Sequence, residues 1–210
     1  MRLVLMEFMS LDGVTQGPGA PDEDRRDGFT RGGWFVPHLD ETFVEANRRW
    51  VGQADAFLFG RHTYESFARD WPNMPDPDDP VASRLNGLPK YVATTTLTEA
   101  SWAPTTILSG DVEAAVAGLK ATDGRELQIH GSTTLARSLL RAGLIDELRL
   151  TVAPVIVGAG RRLFEATADA IGLELVDVAS TPLGLVVQTY VTTGAAAVDV
   201  YDPTRHTFRT

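Results

Sequence analysis

Short apolar runs alternate with amphipathic stretches along most of the chain. The apolar runs predict strands at residues 1–9, 54–59, 90–96, 105–108 and 126–130. Apolar residues at helical spacing predict helices at residues 40–51, 62–69 and 111–121, and a further helix that opens after Gly131. Alternation of strands with helices favours a largely parallel sheet with helices on its faces. The expected fold class is therefore α/β.

The last third of the chain departs from this alternation. Residues 173–180 and 185–192 flank a short turn segment with proline and glycine, which predicts an antiparallel hairpin. Residues 145–157 are apolar over most of their length and predict either a strand pair or one long bent strand. We expect one domain over residues 1–194, and a tail at residues 195–210 that is disordered or serves as an interface arm.

Two segments are rich in the residues that interrupt regular structure. Residues 13–33 contain many Gly, Pro, Asp and Arg residues and predict a long loop. Loops of this length inside a compact domain are usually functional or mobile. Residues 71–88 contain several prolines and aspartates and predict a second loop.

Composition narrows the class of protein. The net charge of -9 argues against a general affinity for nucleic acid, and the absence of cysteine excludes disulfides and thiolate metal sites. Four scattered histidines predict no metal site. No apolar run reaches membrane-spanning length, and the N-terminus lacks the pattern of a secretion signal. We expect a cytoplasmic protein with a small-molecule substrate and no nucleic-acid or membrane partner.

The first candidate site follows the predicted strand at residues 54–59. The apolar run stops at Gly60, and Arg61, His62 and Thr63 follow where a helix should begin. The first amides of a helix are unpaired and carry the positive end of its dipole, so anions bind there. Arg61 and the Thr63 hydroxyl can add hydrogen bonds to a phosphate, and His62 can offer an imidazole or merely be exposed. The alternative is a helix that simply begins with polar residues.

A second candidate turn follows the predicted strand at residues 126–130. It is formed by Gly131, Ser132, Thr133 and Thr134. Small hydroxylated residues after a glycine can cap a helix and can also bind phosphate oxygens.

A third segment, at residues 90–96, ends in three hydroxyl groups. They belong to Thr94, Thr95 and Thr96 and suit a sugar or a phosphate. The alternative is that these threonines are ordinary β-branched strand residues.

These three segments, in this order, resemble the dihydrofolate-reductase fold. Residues 60–65 are similar to the first dinucleotide-phosphate motif of that family, residues 88–96 to its adenosine-phosphate strand, and residues 131–133 to its pyrophosphate turn. The family has several glycines in a row at that turn, of which only Gly131 is present here.

Three other segments indicate which members of this fold family the chain resembles most. Residues 9–14, 144–150 and 153–164 are similar to the C-terminal reductase domain of the bifunctional riboflavin-biosynthesis deaminase-reductase and to its stand-alone bacterial relatives. The resemblance covers roughly residues 1–193. It implies a three-layer α/β fold with a mostly parallel central sheet, a C-terminal antiparallel hairpin and flanking helices. The zinc motif of a deaminase half is absent from the sequence, so we expect no such half.

The resemblance implies an NADPH-dependent oxidoreductase that reduces a small, pyrimidine- or pterin-like substrate by hydride transfer. It implies that the adenosine end lies near Gly60 and Thr94, the pyrophosphate at residues 131–133, and the nicotinamide toward residues 10–12. It also implies a homodimer, for which the apolar segments near residues 152–157 and 185–191 could supply a shared face. The alternative is a nucleotide- or flavin-binding protein of the same fold without turnover.

Glu7, Asp12 and Asp40 are the acid–base candidates. Asp12 precedes a glycine and serves either catalysis or the ordering of a turn. Asp40 either caps the predicted helix or faces the substrate, because the resembled family places its substrate-binding acid at the corresponding helix.

Two further residues are candidate substrate contacts. Trp34 lies in the loop after two glycines, where it either stacks on a planar substrate or anchors the loop to the core. Arg161 lies in a glycine-rich turn that the resemblance places near the substrate end of the site.

Overall fold

The computed structural model describes residues 1–74, 76, 78–164 and 170–200. The strands are β1 (Arg2–Ser10), β2 (Ala54–Gly60), β3 (Lys90–Ala93), β4 (Thr105–Leu108), β5 (Glu126–His130), β6 (Glu147–Ala153), β7 (Ile171–Ser180) and β8 (Val186–Ala195). The helices are α1 (Glu41–Val51), α2 (Arg61–Asp70), α3 (Pro80–Gly87), α4 (Val112–Lys120) and α5 (Thr133–Arg141). Short 3-10 turns lie at Arg26–Gly28, Val36–His38 and Trp71–Asn73.

The eight strands form one sheet in the order β4-β3-β2-β5-β1-β6-β8-β7. Neighbouring strands from β4 to β6 run parallel, whereas β8 runs antiparallel to both β6 and β7. The expected mostly parallel sheet with a C-terminal hairpin is therefore confirmed. Because the parallel strands share a direction, the segments that follow β1, β2, β3 and β5 meet at one edge of the sheet.

The strand β2 is apolar over most of its length because both of its faces are covered. On one face, Leu58 of β2 packs with residues of α4 and α5 such as Val116 and Leu139. On the other face, Phe57 and Phe59 pack with residues of α2 and α3. The alternation of side chains along a strand thus divides one apolar run between two cores and produces three layers.

Two boundaries differ from the sequence prediction. The segment 71–88 contains α3, which begins at a proline and is capped by Asp79, whose Oδ1 accepts hydrogen bonds from the amides of Val81 and Ala82 at 2.9 Å each. Aspartate and proline are typical of loops, and they are equally suited to the first positions of a helix. Residues 145–157 contain one strand, β6, and the segment after it is not a second strand.

The long segment between β1 and α1 is held in place by packing. Val14 pairs with Arg162 across two loops, and Phe35 stacks on Phe8 with ring centroids 4.5 Å apart. The indole Nε1 of Trp34 donates to the carbonyl of Gln16 at 2.9 Å. This predicted loop is thus anchored to the edge of the sheet where β1 ends.

A buried charge network lies on the α1 side of the sheet. Arg149 is 4% exposed and donates to Glu126 and to Glu147, each at 2.7 Å. Arg2 contacts the same two carboxylates at 3.0 and 2.8 Å. Each buried carboxylate therefore has two guanidinium partners, which offsets the loss of hydration.

The segments 152–157 and 185–191, expected to supply a shared face, include Val157 and Leu185, which are buried within the chain. Ile156 in the first of these segments is exposed, and further exposed apolar side chains lie on the edge strand β7, at Leu173, Leu175, Val176 and Val178. Within the described ranges, no helix is both long and apolar enough to cross a bilayer. Positions 201–210 of the predicted tail lie outside the described residues.

Candidate active site

A cleft with a volume of about 1050 Å³ opens at the edge of the sheet where the parallel strands end. It is at the upper end of the range for small-molecule sites, roughly 300–1000 Å³. The residues predicted to bind the cofactor all line it: Gly60, Arg61, His62, Thr63, Thr94, Thr95, Thr96, Gly131, Ser132, Thr133 and Thr134. Arg161 lines it as well. Asp12, Asp40 and Trp34 do not.

The turn after β2 and the turn after β5 are joined by reciprocal hydrogen bonds. The amide of Gly60 donates to Oγ of Ser132 at 2.9 Å, and the amide of Ser132 donates to Oγ1 of Thr63 at 3.1 Å. A β-carbon on Gly60 would lie 3.6 Å from that of Ser132, so the two turns are within van der Waals contact of each other. The two predicted phosphate turns therefore face one common cleft.

The second turn has a left-handed backbone at two successive positions. Gly131 has φ 52°, which glycine adopts without strain, and Ser132 has φ 59° and ψ 40°. A non-glycine residue in this conformation costs roughly 1–2 kcal/mol. Besides accepting from Gly60, the Ser132 hydroxyl donates to the carbonyl of His130 at 3.0 Å, and these bonds offset the strain. Serine thus occupies a backbone conformation in which the resembled family uses glycine.

The helices that begin at the cleft differ from the others at their N-termini. Asp40, Asp79 and Asp111 accept hydrogen bonds from first-turn amides of α1, α3 and α4, respectively. Neither α2 nor α5 has a side-chain cap of this kind among the described residues. Their first amides, with the positive ends of their dipoles, therefore stay available to an anion in the cleft.

Arg61 strengthens the positive character of the α2 end, and His62 lies beside it. The Arg61 side chain is 38% exposed, and its closest carboxylate, that of Glu65, lies 3.9 Å away. This is a weak surface ion pair that leaves the guanidinium able to bind another anion. Partial burial and the nearby guanidinium groups of Arg26 and Arg61 lower the pKa of His62, which favours its neutral form at pH 7.

The three threonines after β3 differ in role: one closes a turn, and two are exposed. The strand β3 ends at Ala93, because Oγ1 of Thr94 accepts hydrogen bonds from the amides of Thr96 and Leu97, at 3.1 Å each, and closes a turn. The Thr95 and Thr96 side chains are exposed along the cleft wall. Thr94 therefore shapes the turn, and the next two threonines line the cleft.

The long loop forms the opposite wall of the cleft. The hydroxyls of Thr15 and Thr133 lie 2.8 Å apart, so the loop contacts the second turn directly. Arg161 extends from the segment after β6 and pairs with Asp24 at 3.3 Å and with Asp27 at 2.7 Å. The guanidinium of Arg161 lines the cleft, but it also fastens the loop in place.

Asp12 forms structural hydrogen bonds away from the cleft. Its carboxylate accepts from Oγ of Ser10 at 2.7 Å and from the amides of Val157 and Gly158 at 3.0 and 2.9 Å. Burial raises the pKa of Asp12, but these hydrogen bonds outweigh burial and hold the pKa at about 2. The structure thus gives Asp12 the role of ordering the turn after β1.

Asp40 and Trp34 also form structural contacts. Asp40 caps α1 by accepting from the amide of Phe43 at 2.9 Å, and it accepts from the amide of Leu183 at 3.0 Å. Desolvation raises the pKa of Asp40, but hydrogen bonds from Thr181, Leu183 and Phe43 outweigh it and lower the pKa. Trp34 is 8% exposed and anchors the loop through the hydrogen bond described above.

Glu7 is the candidate carboxylate that the structure brings to the cleft. It lies on β1, is 4% exposed, and its Oε2 has no hydrogen-bond partner among the described residues. Burial raises the pKa of Glu7 to about 8; a hydrogen bond from the Phe8 amide opposes this shift, and the Glu23 carboxylate adds to it. A charged residue between apolar neighbours in the middle of a strand is the signal for it in the sequence.

Two other ionisable residues are withdrawn from water: His130 is half-buried, and Lys90 is buried. Burial lowers the pKa of His130 to about 3, so this cleft residue is neutral at physiological pH. The Lys90 ammonium donates to the carbonyls of Leu85, Asn86 and Leu88 at 2.8, 3.1 and 2.9 Å, and thereby caps the end of α3. Across the described parts of the chain, no three His, Asp or Glu side chains form a group that could hold a metal ion.

One protein family and one curated relative each match nearly the whole chain. The RibD C-terminal domain family matches residues 2–187. The protein YyaP of Bacillus subtilis (strain 168) is 25% identical over 187 residues, which cover 88% of this chain and 92% of YyaP.

Solved structures share the fold at lower identity. A Shewanella sp. PV-4 protein named for riboflavin biosynthesis has a TM-score of 0.66 at 21% identity, over 92% of this chain and 99% of that one. A pyrimidine reductase-like protein from Corynebacterium diphtheriae has a TM-score of 0.60 at 18% identity, over 91% of each chain. Acinetobacter baumannii RibD has a TM-score of 0.59 at 18% identity, over 91% of this chain and 58% of RibD. The match to residues 2–187 shows that the chain belongs to the RibD C-terminal domain family, a family of reductase domains.

Proposed function

We propose that the protein is an NADPH-dependent oxidoreductase that reduces a small, pyrimidine- or pterin-like substrate by hydride transfer. The observation that carries the proposal is the meeting of two uncapped helix N-termini, those of α2 and α5, at one cleft beside Arg61. Membership of a reductase family supports the reaction type. The name of the Corynebacterium relative supports the substrate class.

The donors around the two turns fit a diphosphate. A diphosphate carries negative charge over several oxygens and needs several N–H donors at once. The first amides of both helices, together with the Arg61 guanidinium, supply such a set from two directions. The overall charge of -9 does not prevent this, because the local donors lie closest to the anion.

The order of the strands supports one orientation of the cofactor along the cleft. The turns after β2 and β5 lie between the threonine segment after β3 on one side and β1 on the other. The diphosphate lies in the middle of a dinucleotide, so one nucleoside would extend over Thr95 and Thr96 and the other toward β1. By the resemblance to the dihydrofolate-reductase fold, the adenosine would lie at the threonines, and the nicotinamide would lie near β1 and Glu7.

When bound, the cofactor supplies a hydride, and the chain supplies binding and orientation. The exposed hydroxyls of Thr95 and Thr96, with Arg61, would distinguish NADPH from NADH by its additional phosphate. Thr15 and the loop that carries it would cover the second turn and exclude water from the cleft.

Calorimetric titration with NADPH and NADH tests the proposal. We expect tighter binding of NADPH, and Arg61→Ala should weaken it by roughly 1.5–3 kcal/mol, as for the loss of a charged hydrogen bond. Arg125→Ala is the matched control. Arg125 immediately precedes β5, forms an ion pair with Asp55 of β2, and does not line the cleft. Equal affinities of the Arg61 variant and the parent would refute the assignment of the phosphate site.

The same preparations test turnover. NADPH absorbance is followed with pyrimidines, pterins, flavins and quinones as oxidants, and we expect oxidation with a heterocycle of the first two classes. Tight binding of NADPH without oxidation by any of them would contradict the proposed reductase.

A further inference from the structure

Glu7 breaks the pattern of its own strand. Side chains alternate along β1, so Glu7 shares a face with Leu3 and Leu5, both fully buried in the core. The pairing of β1 with β5 and with β6 is regular over this stretch, and Glu7 lies opposite Leu150. The position thus has an apolar environment, in which an unpaired carboxyl group is costly. Residues that violate the local pattern in this way are expected at functional or strained sites.

The carboxyl group of Glu7 is directed to the cleft beside the second turn. Glu7 lines the cleft, and a β-carbon placed on Gly131 would lie 4.0 Å from Oε1 of Glu7. Oε2 is buried and has no hydrogen-bond partner in the described parts of the chain. The carboxyl group of Glu7, which lines the cleft, therefore has a lone pair or a proton that no described group takes up.

The other two candidate carboxylates are unsuited to donating a proton. Asp12 and Asp40 accept hydrogen bonds from amides and hydroxyls, which stabilise the ionised form of each, and neither lines the cleft. Glu7 lacks such donors at Oε2 and is shielded from water, which favours its protonated form. At neutral pH, Glu7 is thus the carboxyl group of the three that holds a proton.

We propose that Glu7 is the proton donor of the reduction, with its carboxyl group placed at the nicotinamide end of the cleft. The proposal rests on the function proposed above, because it requires a reduced nicotinamide dinucleotide in this cleft. It adds the identity of the acid, which neither the family match nor the structural relatives assign.

For a substrate with a C=N or C=O bond, the reduction combines a hydride transfer with a proton transfer. The carbon receives a hydride, with its two electrons, from the reduced nicotinamide, and a C–H bond forms. The heteroatom receives the proton of Glu7, and the O–H bond of Glu7 breaks. The products are the reduced substrate, oxidised NADP⁺ and a carboxylate, which regains a proton from water after product release.

Several charged or titratable groups share the cleft with Glu7. They are His130 from β5, Arg61, His62, Glu65 and Arg69 from α2, Glu23, Asp24, Arg25 and Arg26 from the loop, and Arg161 from the segment after β6. Glu23 opposes ionisation of Glu7, and His130 is neutral near pH 7. An experiment on Glu7 must therefore separate its ionisation from that of the groups near the phosphates.

The first experiment measures the ionisation of Glu7 directly. Carbon NMR of protein labelled at the glutamate carboxyl carbon gives a titration curve for each glutamate, and Glu7→Gln identifies the Glu7 signal by its disappearance. We expect the wild-type signal to titrate near pH 8. A midpoint in the ordinary range of glutamate, about 4.3, would overturn the proposal because Glu7 would then hold no proton at neutral pH.

The second experiment compares the affinities for NADP⁺ and NADPH as a function of pH. The oxidised ring carries a positive charge that the reduced ring lacks, so only NADP⁺ gains from a nearby carboxylate. Groups near the phosphates affect both forms equally, and the affinity ratio isolates the nicotinamide end. We expect the ratio to shift toward NADP⁺ by roughly tenfold as the pH rises from about 6 to about 9.5, with no shift in Glu7→Gln.

The outcomes separate this proposal from the proposed function. A constant ratio in the wild type, with NADPH bound, would overturn the role of Glu7 and leave the cofactor site standing. Failure to bind either nucleotide would overturn the cofactor site, and with it the role of Glu7. With any heterocycle that the wild type reduces, Glu7→Gln should lower kcat by roughly 10²–10⁴-fold while NADPH affinity at pH 7 stays within about twofold. An unchanged kcat would refute the proposal.

Discussion

Two substitutions at Ser132 separate the effect of backbone strain from the effect of losing the hydroxyl group. Ser132→Ala removes the hydroxyl that accepts from Gly60 and donates to His130, and it keeps a side chain at φ 59°. Ser132→Gly removes the same hydroxyl, but glycine adopts this backbone without strain. The comparison of the two variants therefore isolates the strain of the left-handed residue.

The magnitudes follow from the geometry. Loss of the hydroxyl leaves the Gly60 amide unpaired, which costs roughly 1–3 kcal/mol in both variants. The glycine variant regains roughly 1–2 kcal/mol of strain and loses about 0.5–1 kcal/mol to the greater freedom of the unfolded chain. We expect both variants to be less stable than the parent, with the glycine variant more stable than the alanine variant by up to about 1.5 kcal/mol.

Urea unfolding followed by circular dichroism measures these differences. Ser138 in the interior of α5 provides the control pair, because glycine in an ordinary helix is less stable than alanine by about 1 kcal/mol. The order of stability should thus be opposite at positions 132 and 138. If alanine is more stable than glycine at position 132, as it is at an ordinary helix position, the described turn and the account of the joined turns are wrong.

Two further predictions concern buried ionisable groups. The pKa of Glu7 is raised from 4.5 to about 8, so its contribution to stability is fully present below pH 4.5 and is lost as the pH rises through about 8. The loss should approach at most about 5 kcal/mol, and Glu7→Gln, compared by urea unfolding across this pH range, should abolish it; parallel pH profiles would contradict the burial of Glu7. Arg149→Met leaves two buried carboxylates short of a partner and should cost roughly 3–5 kcal/mol, whereas Arg125→Met at an exposed pair should cost less than about 1 kcal/mol. Equal losses of stability in these two variants would show that the Arg149 network is hydrated.

Much of the fold could be predicted because local pattern and tertiary structure agree. The apolar run into Gly60 and the polar residues after it specify a strand, a turn and a helix whatever surrounds them. The hairpin of β7 and β8 likewise follows from two runs and a short turn. By contrast, the start of α3 uses Asp79 and Pro80, which are equally common in loops, so the pattern could not distinguish the two.

The turns of the candidate site could be predicted from the sequence, whereas the sequence alone could not rank the three acid–base candidates. The residues predicted to bind the cofactor lie next to strand ends, and the parallel sheet brings those ends together. Asp12 and Asp40 each had a functional and a structural interpretation, and the choice depends on partners such as Val157 and Leu183, which are distant in sequence. The importance of Glu7 depends on its burial and its free oxygen, which arise only when the sheet and the loop have assembled.

A crystal structure of the NADPH complex tests the central claim most directly. The account predicts that the diphosphate oxygens accept hydrogen bonds from first-turn amides of both α2 and α5 and from Arg61, with the nicotinamide next to Glu7. A nucleotide whose phosphates lie away from these two helix ends would contradict it.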